Sequence, residues 1–347
     1  MNVKSIAGQL GKRRARSAYR RVDYRRVSDF VTLTKPRVMM LAVFTALVGL
    51  SSAPVRLDPL TTLVAVIAIA AGAGSAGVLN MWYDADIDAI MSRTAMRPIP
   101  LGKVSRFDAL VLGAVLGGIA VVALALATNL MAAALLAGAI LFYVVVYTTW
   151  LKRSTRQNIV VGGAAGALPP VIGWAAATGE VGFEPLALFL IILLWTPPHF
   201  WALALNRIDD YSRAGVPMLP VVAGRAATTR QILIYSGLLA LASELPCALG
   251  FAGMIYGVTV AICGALFLML AFQLDRSIGP DRRPAHRLFV FSIFYLFVLF
   301  AALLVDHDGN TSSLMRTKHG DLGITVHDEL LPKAVRTAWR SINLSEV

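Results

Sequence analysis

Nine stretches of roughly twenty apolar residues, each long enough to cross a hydrocarbon core as a helix, dominate this 347-residue chain. They fall near 36–54, 60–82, 108–127, 130–150, 159–177, 185–205, 231–252, 255–273 and 287–305. A chain built this way has few options, because within lipid every backbone N–H and C=O needs a partner inside the protein. With 57% hydrophobic and only 15% charged residues, an ordinary soluble core is excluded. The expectation is an all-α, polytopic membrane protein, a bundle of nine transmembrane helices spanning 36–305, with a basic tail at 1–35 and a polar tail of unassigned role at 306–347.

The net charge of +12 invites a nucleic-acid reading, but the distribution of the charges argues otherwise. Of the 32 Lys and Arg residues, 11 sit in and beside the N-terminal tail and 15 in or beside the loops after spans two, four, six and eight. The loops after spans one, three, five and seven hold a single one, Arg56. That alternation follows the positive-inside rule for a cytoplasmic N-terminus and a C-terminus on the other side. The partner implied is anionic membrane lipid, with no nucleic acid. The tail has no apolar h-region, so it reads as a bacterial juxtamembrane segment in an inner membrane in preference to a secretory signal or a mitochondrial transit peptide. Cys247 and Cys263 lie in apolar segments without metal-ligand spacing, which argues against a disulfide framework, a zinc site or thiol catalysis.

Opposite charges gather where the second span ends, in "NMWYDADIDAIMSRTAMRPIP" at 80–100. Asn80, Asp84 and Asp88 recur every four residues, which on a helix places them on one stripe about 12 Å long. Asp86 falls off that stripe, toward Arg93 or solvent. One amide and two carboxylates supply oxygen ligands suited to Mg²⁺, which keeps waters and bridges carboxylates to phosphates. Arg93 and Arg97 follow, with forked donors that suit phosphate oxygens. Ionisable groups at membrane depth are functional candidates by default, and these describe a magnesium-diphosphate site. No P-loop pattern competes, and "AGAGSAG" at 71–77 reads as close helix packing.

The sixth span ends in similar chemistry, "WTPPHFWALALNRIDDYSRAGVPMLP" at 195–220. Asn206 and Asp210 repeat the spacing of Asn80 and Asp84, with Asp209 adjacent, so the second metal-binding and catalytic acids are expected at Asp209 and Asp210. Lys152 and Arg153, after the fourth span, add cationic candidates for the diphosphate. His199 lies about two turns inside the membrane, after Pro197 and Pro198. It is open between packing and a substrate role as a ligand to a porphyrin iron or propionate, or as a proton shuttle. His286, His307, His319 and His327 read as solvated.

These two segments resemble the UbiA superfamily of intramembrane prenyltransferases. The M-x-R-T-x-x-R-P continuation, T-P-P-H-F-W and A-G-V-P-M-L-P are similar to its haem-farnesylating branch. The resemblance covers about 30–305. It implies a helical bundle around a central cavity open sideways to lipid, Mg²⁺ as cofactor, and farnesyl diphosphate and haem b as substrates. It further implies haem O as product for haem-copper oxidase biogenesis, and a haem A synthase as the partner that receives it. By position Asn80, Asp84 and Asp88 match the first motif and Asp209 and Asp210 the second. Arg213 and Ala214 depart from the superfamily's Asp-x3-Asp.

The chemistry so implied is electrostatic stabilisation of departing diphosphate, followed by attack of a haem vinyl carbon on an allylic cation sheltered from water. Tyr83, Tyr143, Tyr147, Trp195, Trp201 and Tyr211 are available to face that cation. Two alternatives remain at this stage. One is a prenyltransferase for a quinone precursor or chlorin; the other is a transporter with broken mid-membrane helices.

Overall fold

The computed structural model describes residues 24–277 and 281–321, with side chains placed over 27–277 and 281–306. The basic residues before Tyr24, the side chain of His307, and the tail expectations around His319 and His327 lie outside these side-chain limits. The described residues divide into two units after His307, and the membrane crossings belong to the first.

Among the described residues eight helices are long and apolar enough to cross a membrane, and a bent pair at the start makes up to nine. In chain order the elements are α1 (Tyr24–Leu33), α2 (Pro36–Ser51), α3 (Pro59–Tyr83), α4 (Ala85–Ile90), α5 (Arg106–Ala127) and α6 (Leu130–Leu141). The fourth crossing continues as a π-helical stretch, Phe142–Leu151, and a last turn α7 (Lys152–Ser154). There follow α8 (Asn158–Ala167), α9 (Pro169–Thr178), α10 (Phe183–Leu205), α11 (Ile208–Arg213), α12 (Leu219–Val222), α13 (Gly224–Ser243), α14 (Leu245–Ala248), α15 (Met254–Arg276) and α16 (Arg283–Asp321).

The first, fifth and seventh crossings each depart from the apolar span expected for a local reason. The first is two helices meeting at 51°. Lys35 precedes Pro36, whose ring disfavours a right-handed helical conformation before it. Lys35 instead adopts φ 55°, ψ 54°, a left-handed conformation costing a side-chain-bearing residue about 1–2 kcal/mol. The fifth crossing is interrupted at Leu168, because Pro169 and Pro170 have no N–H to give the carbonyls of Ala165 and Gly166. The seventh starts at Gly224, about two turns before its apolar run. There Thr228 Oγ1 is satisfied by the Gly224 carbonyl at 2.8 Å and Thr229 Oγ1 by Asp275 at 2.8 Å.

Small residues let the helices touch backbone to backbone. A Cβ on Gly49 of α2 would collide with the Pro170 carbonyl of α9, and one on Gly173 of α9 with the Ala46 carbonyl of α2. Ser75 of α3 donates to the Gly113 carbonyl of α5 at 2.6 Å. One apolar cluster joins α2, α3, α5, α6 and α9; a larger one is built mainly from α10, α13, α15 and α16.

Candidate active site

The first acidic stripe straddles a break. Helix α3 stops at Tyr83, Asp84 leaves helical geometry at ψ 8°, and α4 resumes at Ala85. The i to i+4 ladder nevertheless runs through, Asp84 N–H to the Asn80 carbonyl at 2.9 Å and Asp88 N–H to the Asp84 carbonyl at 2.8 Å. Asn80, Asp84 and Asp88 therefore keep the expected shared face, and all three are buried.

Cations of the protein hold these acids. Lys152 Nζ lies 2.5 Å from Asp84 Oδ2, and Arg97 2.5 Å from Asp88 Oδ2. Asn80 donates to Asp84 Oδ2 at 2.9 Å and to Thr148 of the π-helical stretch at 3.0 Å, while Lys35 Nζ donates to Asn80 Oδ1 at 2.7 Å. The strained residue at the bend thus delivers its ammonium into the stripe. Arg93 is exposed and pairs with no acid among the described residues.

Asp86 points away from the stripe, as its spacing requires, but its partner is Arg153 and not Arg93. Both Arg153 donors reach it at 2.8 Å, and the guanidinium also covers the Tyr83 ring at 4.7 Å. The Arg153 hydrogen bond pulls the Asp86 carboxyl down to about 2. A more distant contact, 3.6 Å, links Arg153 to Asp84 Oδ1.

The second cluster repeats the architecture of the first: α10 stops at Leu205, and the short α11 carries the acids. Asp210 is buried and accepts from Ser92 at 2.6 Å, which joins the loops after the second and sixth crossings. Arg213 also bonds it, and Arg207 lies at 3.8 Å. The Ser92 hydrogen bond, seconded by Arg213, holds the Asp210 carboxyl below its ordinary value. Asp209 stands apart, its side chain 85% exposed and 3.9 Å from Arg282, because adjacent residues on a helix point about 100° apart. Arg213, where the superfamily pattern runs toward a second acid, is itself the partner of Asp210.

A hard, oxygen-seeking cation fits this donor set. Asp84 Oδ1 and Asn206 Oδ1 are buried without a hydrogen-bond partner, and unpaired buried acceptors are costly unless a ligand uses them. No three carboxylates, imidazoles or thiols among the described residues converge into a closed cage. That openness is what Mg²⁺ tolerates when substrate phosphates and waters complete its shell.

Next to the stripe opens an apolar cavity lined from α2, α3, α6, α8 and α9, with Thr34, Lys35 and Tyr143 as its polar residues. Tyr143 and Tyr147 stack at 5.3 Å on the π-helical stretch. Trp201 instead meets Tyr235, edge to face at 5.5 Å.

His199 is placed in an aromatic sandwich, 4.3 Å from the Trp195 ring and 4.8 Å from Phe289. Its Nδ1 lies 2.7 Å from Ser292 Oγ, and that hydroxyl donates to the Phe289 carbonyl at 2.6 Å. Ser292 has one proton, so toward His199 it accepts, Nδ1 carries the hydrogen, and Nε2 keeps its lone pair.

Three further residues belong to this picture without a motif to mark them, Lys35, Ser92 and Thr148, and a fourth polar residue, Asn158, is a candidate by burial alone. Asn158 is fully buried at the start of α8 with neither amide atom paired. Lys35-Pro36 in a basic tail is the one signal that sequence offered; the others are ordinary residues made special by what faces them.

Residues 42–304 match the family model described as UbiA prenyltransferase family. "Protoheme IX farnesyltransferase" of Rhizobium rhizogenes is 56% identical over 80% of this chain and 88% of its own length. The protein of that name from Rhodopseudomonas palustris is 55% identical over 82% of this chain and 92% of its own. Among solved structures, a digeranylgeranylglyceryl phosphate synthase superposes with a TM-score of 0.68 at 21% identity, over 82% of this chain and 99% of that one. A UbiA homologue from Archaeoglobus fulgidus bound to DMAPP and Mg2+ superposes with a TM-score of 0.58 at 15% identity, over 79% and 99%. The family match across nearly the whole helical bundle, with relatives above half identical over most of their length, establishes that this chain belongs to the UbiA prenyltransferase family.

Proposed function

We propose that the chain transfers a farnesyl group from farnesyl diphosphate to a vinyl carbon of protohaem IX, with addition of water, forming haem O in a Mg²⁺-dependent reaction. The observation that carries the reading is the cluster itself: Asp84, Asp88 and Asp210 each held by Lys152, Arg97 or Arg213 beside an apolar cavity. The relatives' printed activity supplies the acceptor.

Asn80, Asp84, Asp88, Asn206 and Asp210 would hold the metal through oxygen, and bound Mg²⁺ would neutralise charge on the diphosphate. Lys35, Lys152, Arg97 and Arg93 orient the phosphate oxygens, so that donors already stand where charge develops as the allylic C–O bond breaks. Asp209, turned to solvent, is left to shape the local field. The prenyl tail enters the apolar cavity, which keeps water from the allylic cation until the vinyl carbon attacks. Tyr143, which lines the cavity and stacks on Tyr147, is suited to face that cation. His199, with a free Nε2, serves haem by ligating its iron or accepting a proton from the added water.

The same reading places the site at the cytoplasmic face of a bacterial inner membrane, supported by the clustering of Lys and Arg on the loops that carry it. Haem O released there would pass to an enzyme that oxidises it further, such as a haem A synthase. The test is incubation of purified protein with haem b, farnesyl diphosphate and Mg²⁺, with the pigment analysed by mass spectrometry. A farnesylated, hydrated haem is expected. Prenylation of a benzoate or chlorin in its place would overturn the acceptor.

A further inference from the structure

We propose that Ile69, Leu136 and Ile172 fix the length of prenyl chain this protein accepts, closing its cavity at three isoprene units. The inference rests on the diphosphate site proposed above and concerns the other end of the same substrate.

Along α3 the cavity is lined by Gly77, Ala76, Ala73 and Gly72, and then by Ile69. Gly77, Ala76 and Ala73 leave room and the hollow over Gly72 is taken up by Leu136 of α6, while Ile69 is the first large side chain that α3 itself presents when moving away from the acids. Eleven residues separate Asn80 from Ile69, about 16 Å at the helical rise. An extended isoprene unit, with four carbon–carbon bonds along its length, spans about 5 Å by ordinary bond geometry. Three units therefore reach the floor, and a fourth has to displace it.

The floor is firm. Ile69, Leu136 and Ile172 are at most 3% exposed and belong to one apolar cluster. Leu136 reaches from α6 across to α3, its Cδ1 only 2.7 Å from where a Cβ on Gly72 would stand. Beyond Lys35, Tyr143 and Thr34, nothing polar lines the slot, so the chain is measured by shape. Apolar pockets discriminate between homologues by about 10- to 200-fold per small group.

The test is equilibrium binding of the geranyl, farnesyl and geranylgeranyl thiolodiphosphates to the full-length protein in detergent with Mg²⁺. Wild type should favour farnesyl over geranylgeranyl by about tenfold or more. Leu136→Ala and Ile69→Ala should bring that ratio close to one. Ala73→Leu, which narrows the slot without opening a hole in the core, should shift preference to geranyl. Equal binding of all three chains by wild type, or ratios untouched by both kinds of variant, would overturn the proposal. Binding of no analogue would sink the diphosphate site with it. The expected length preferences without any haem prenylation would support the floor while removing haem as acceptor.

Discussion

Ser92 and Asp210, 118 residues apart, share a 2.6 Å hydrogen bond that ties the two acidic loops into one site. That bond is the first cause of the depressed Asp210 carboxyl. A carboxyl lowered in the folded state contributes stability that is present above the ordinary carboxylate range and lost as pH falls through the lowered value. Ser92→Ala should therefore move the acid-side loss of thermal stability to higher pH, measured as melting temperature against pH in detergent. An unchanged profile would detach Ser92 from Asp210.

Lys35 supplies two separable effects, an ammonium 2.7 Å from Asn80 Oδ1 and a left-handed backbone. Lys35→Ala and Lys35→Gly should both weaken prenyl thiolodiphosphate binding by about tenfold or more, the loss of one charge-assisted contact. Glycine removes the backbone strain, so Lys35→Gly should be more stable than Lys35→Ala by about 1 kcal/mol. Thermal melts of the two variants read the second effect independently of the first.

Asp84 and Asp86 carry the same charge two residues apart with opposite roles. Asp84→Asn should lower kcat by about a hundredfold or more, as does losing a preorganised electrostatic partner of the reacting group. Asp86→Asn, which breaks a pair whose acid is 55% exposed, should cost at most about 1 kcal/mol of stability and leave turnover within a few-fold. Steady-state kinetics with varied Mg²⁺ separates them; equal losses would misplace the metal.

Asn158 is buried with both amide atoms unpaired, a defect that ordinarily costs about 1–3 kcal/mol. Asn158→Leu should raise the melting temperature and lower turnover at least several-fold, the pairing expected where a polar group is kept for a ligand. A stabilised variant of full activity would make Asn158 a plain packing fault.

His199→Ala should leave prenyl thiolodiphosphate affinity within about twofold, because its hydrogen bond goes to Ser292 and not to the acids. Haem-dependent turnover should fall, and the Soret band of bound haem should change if Nε2 touches iron. Loss of diphosphate affinity alone would move His199 into the first site.

Much of this is legible in the sequence. The period of four through Asn80, Asp84 and Asp88 survives the helix break because the i to i+4 bonds continue across it. The repeat at Asn206 and Asp210 has a structural counterpart in two helices that each stop and restart as a short one. What spacing could not decide was register after a break: Asp209 and Asp210 are equal as letters, and only the restart of α11 turns one inward. Nor could it decide partners from distant helices, so Asp86 found Arg153 instead of the nearby Arg93. Lys35 escaped for a related reason, since a lysine before the first span counts as topology until the bend carries it to Asn80. The proline pair at 169–170 breaks the fifth crossing within a span that hydropathy alone gives as continuous, and its consequence, a crossing in two pieces beside a cavity, depends on what packs there.

The contact of α2 with α9 at Gly49 and Gly173 has a consequence for how this protein can diversify. Two backbones meeting without intervening side chains cannot be trimmed, because glycine has nothing left to remove, and cannot be padded without collision. That side of the bundle is a fixed wall. Variation in tail length, whether by drift or by engineering, has to come from the side chains that line the cavity, where Ala73 can grow and Leu136 or Ile172 can shrink.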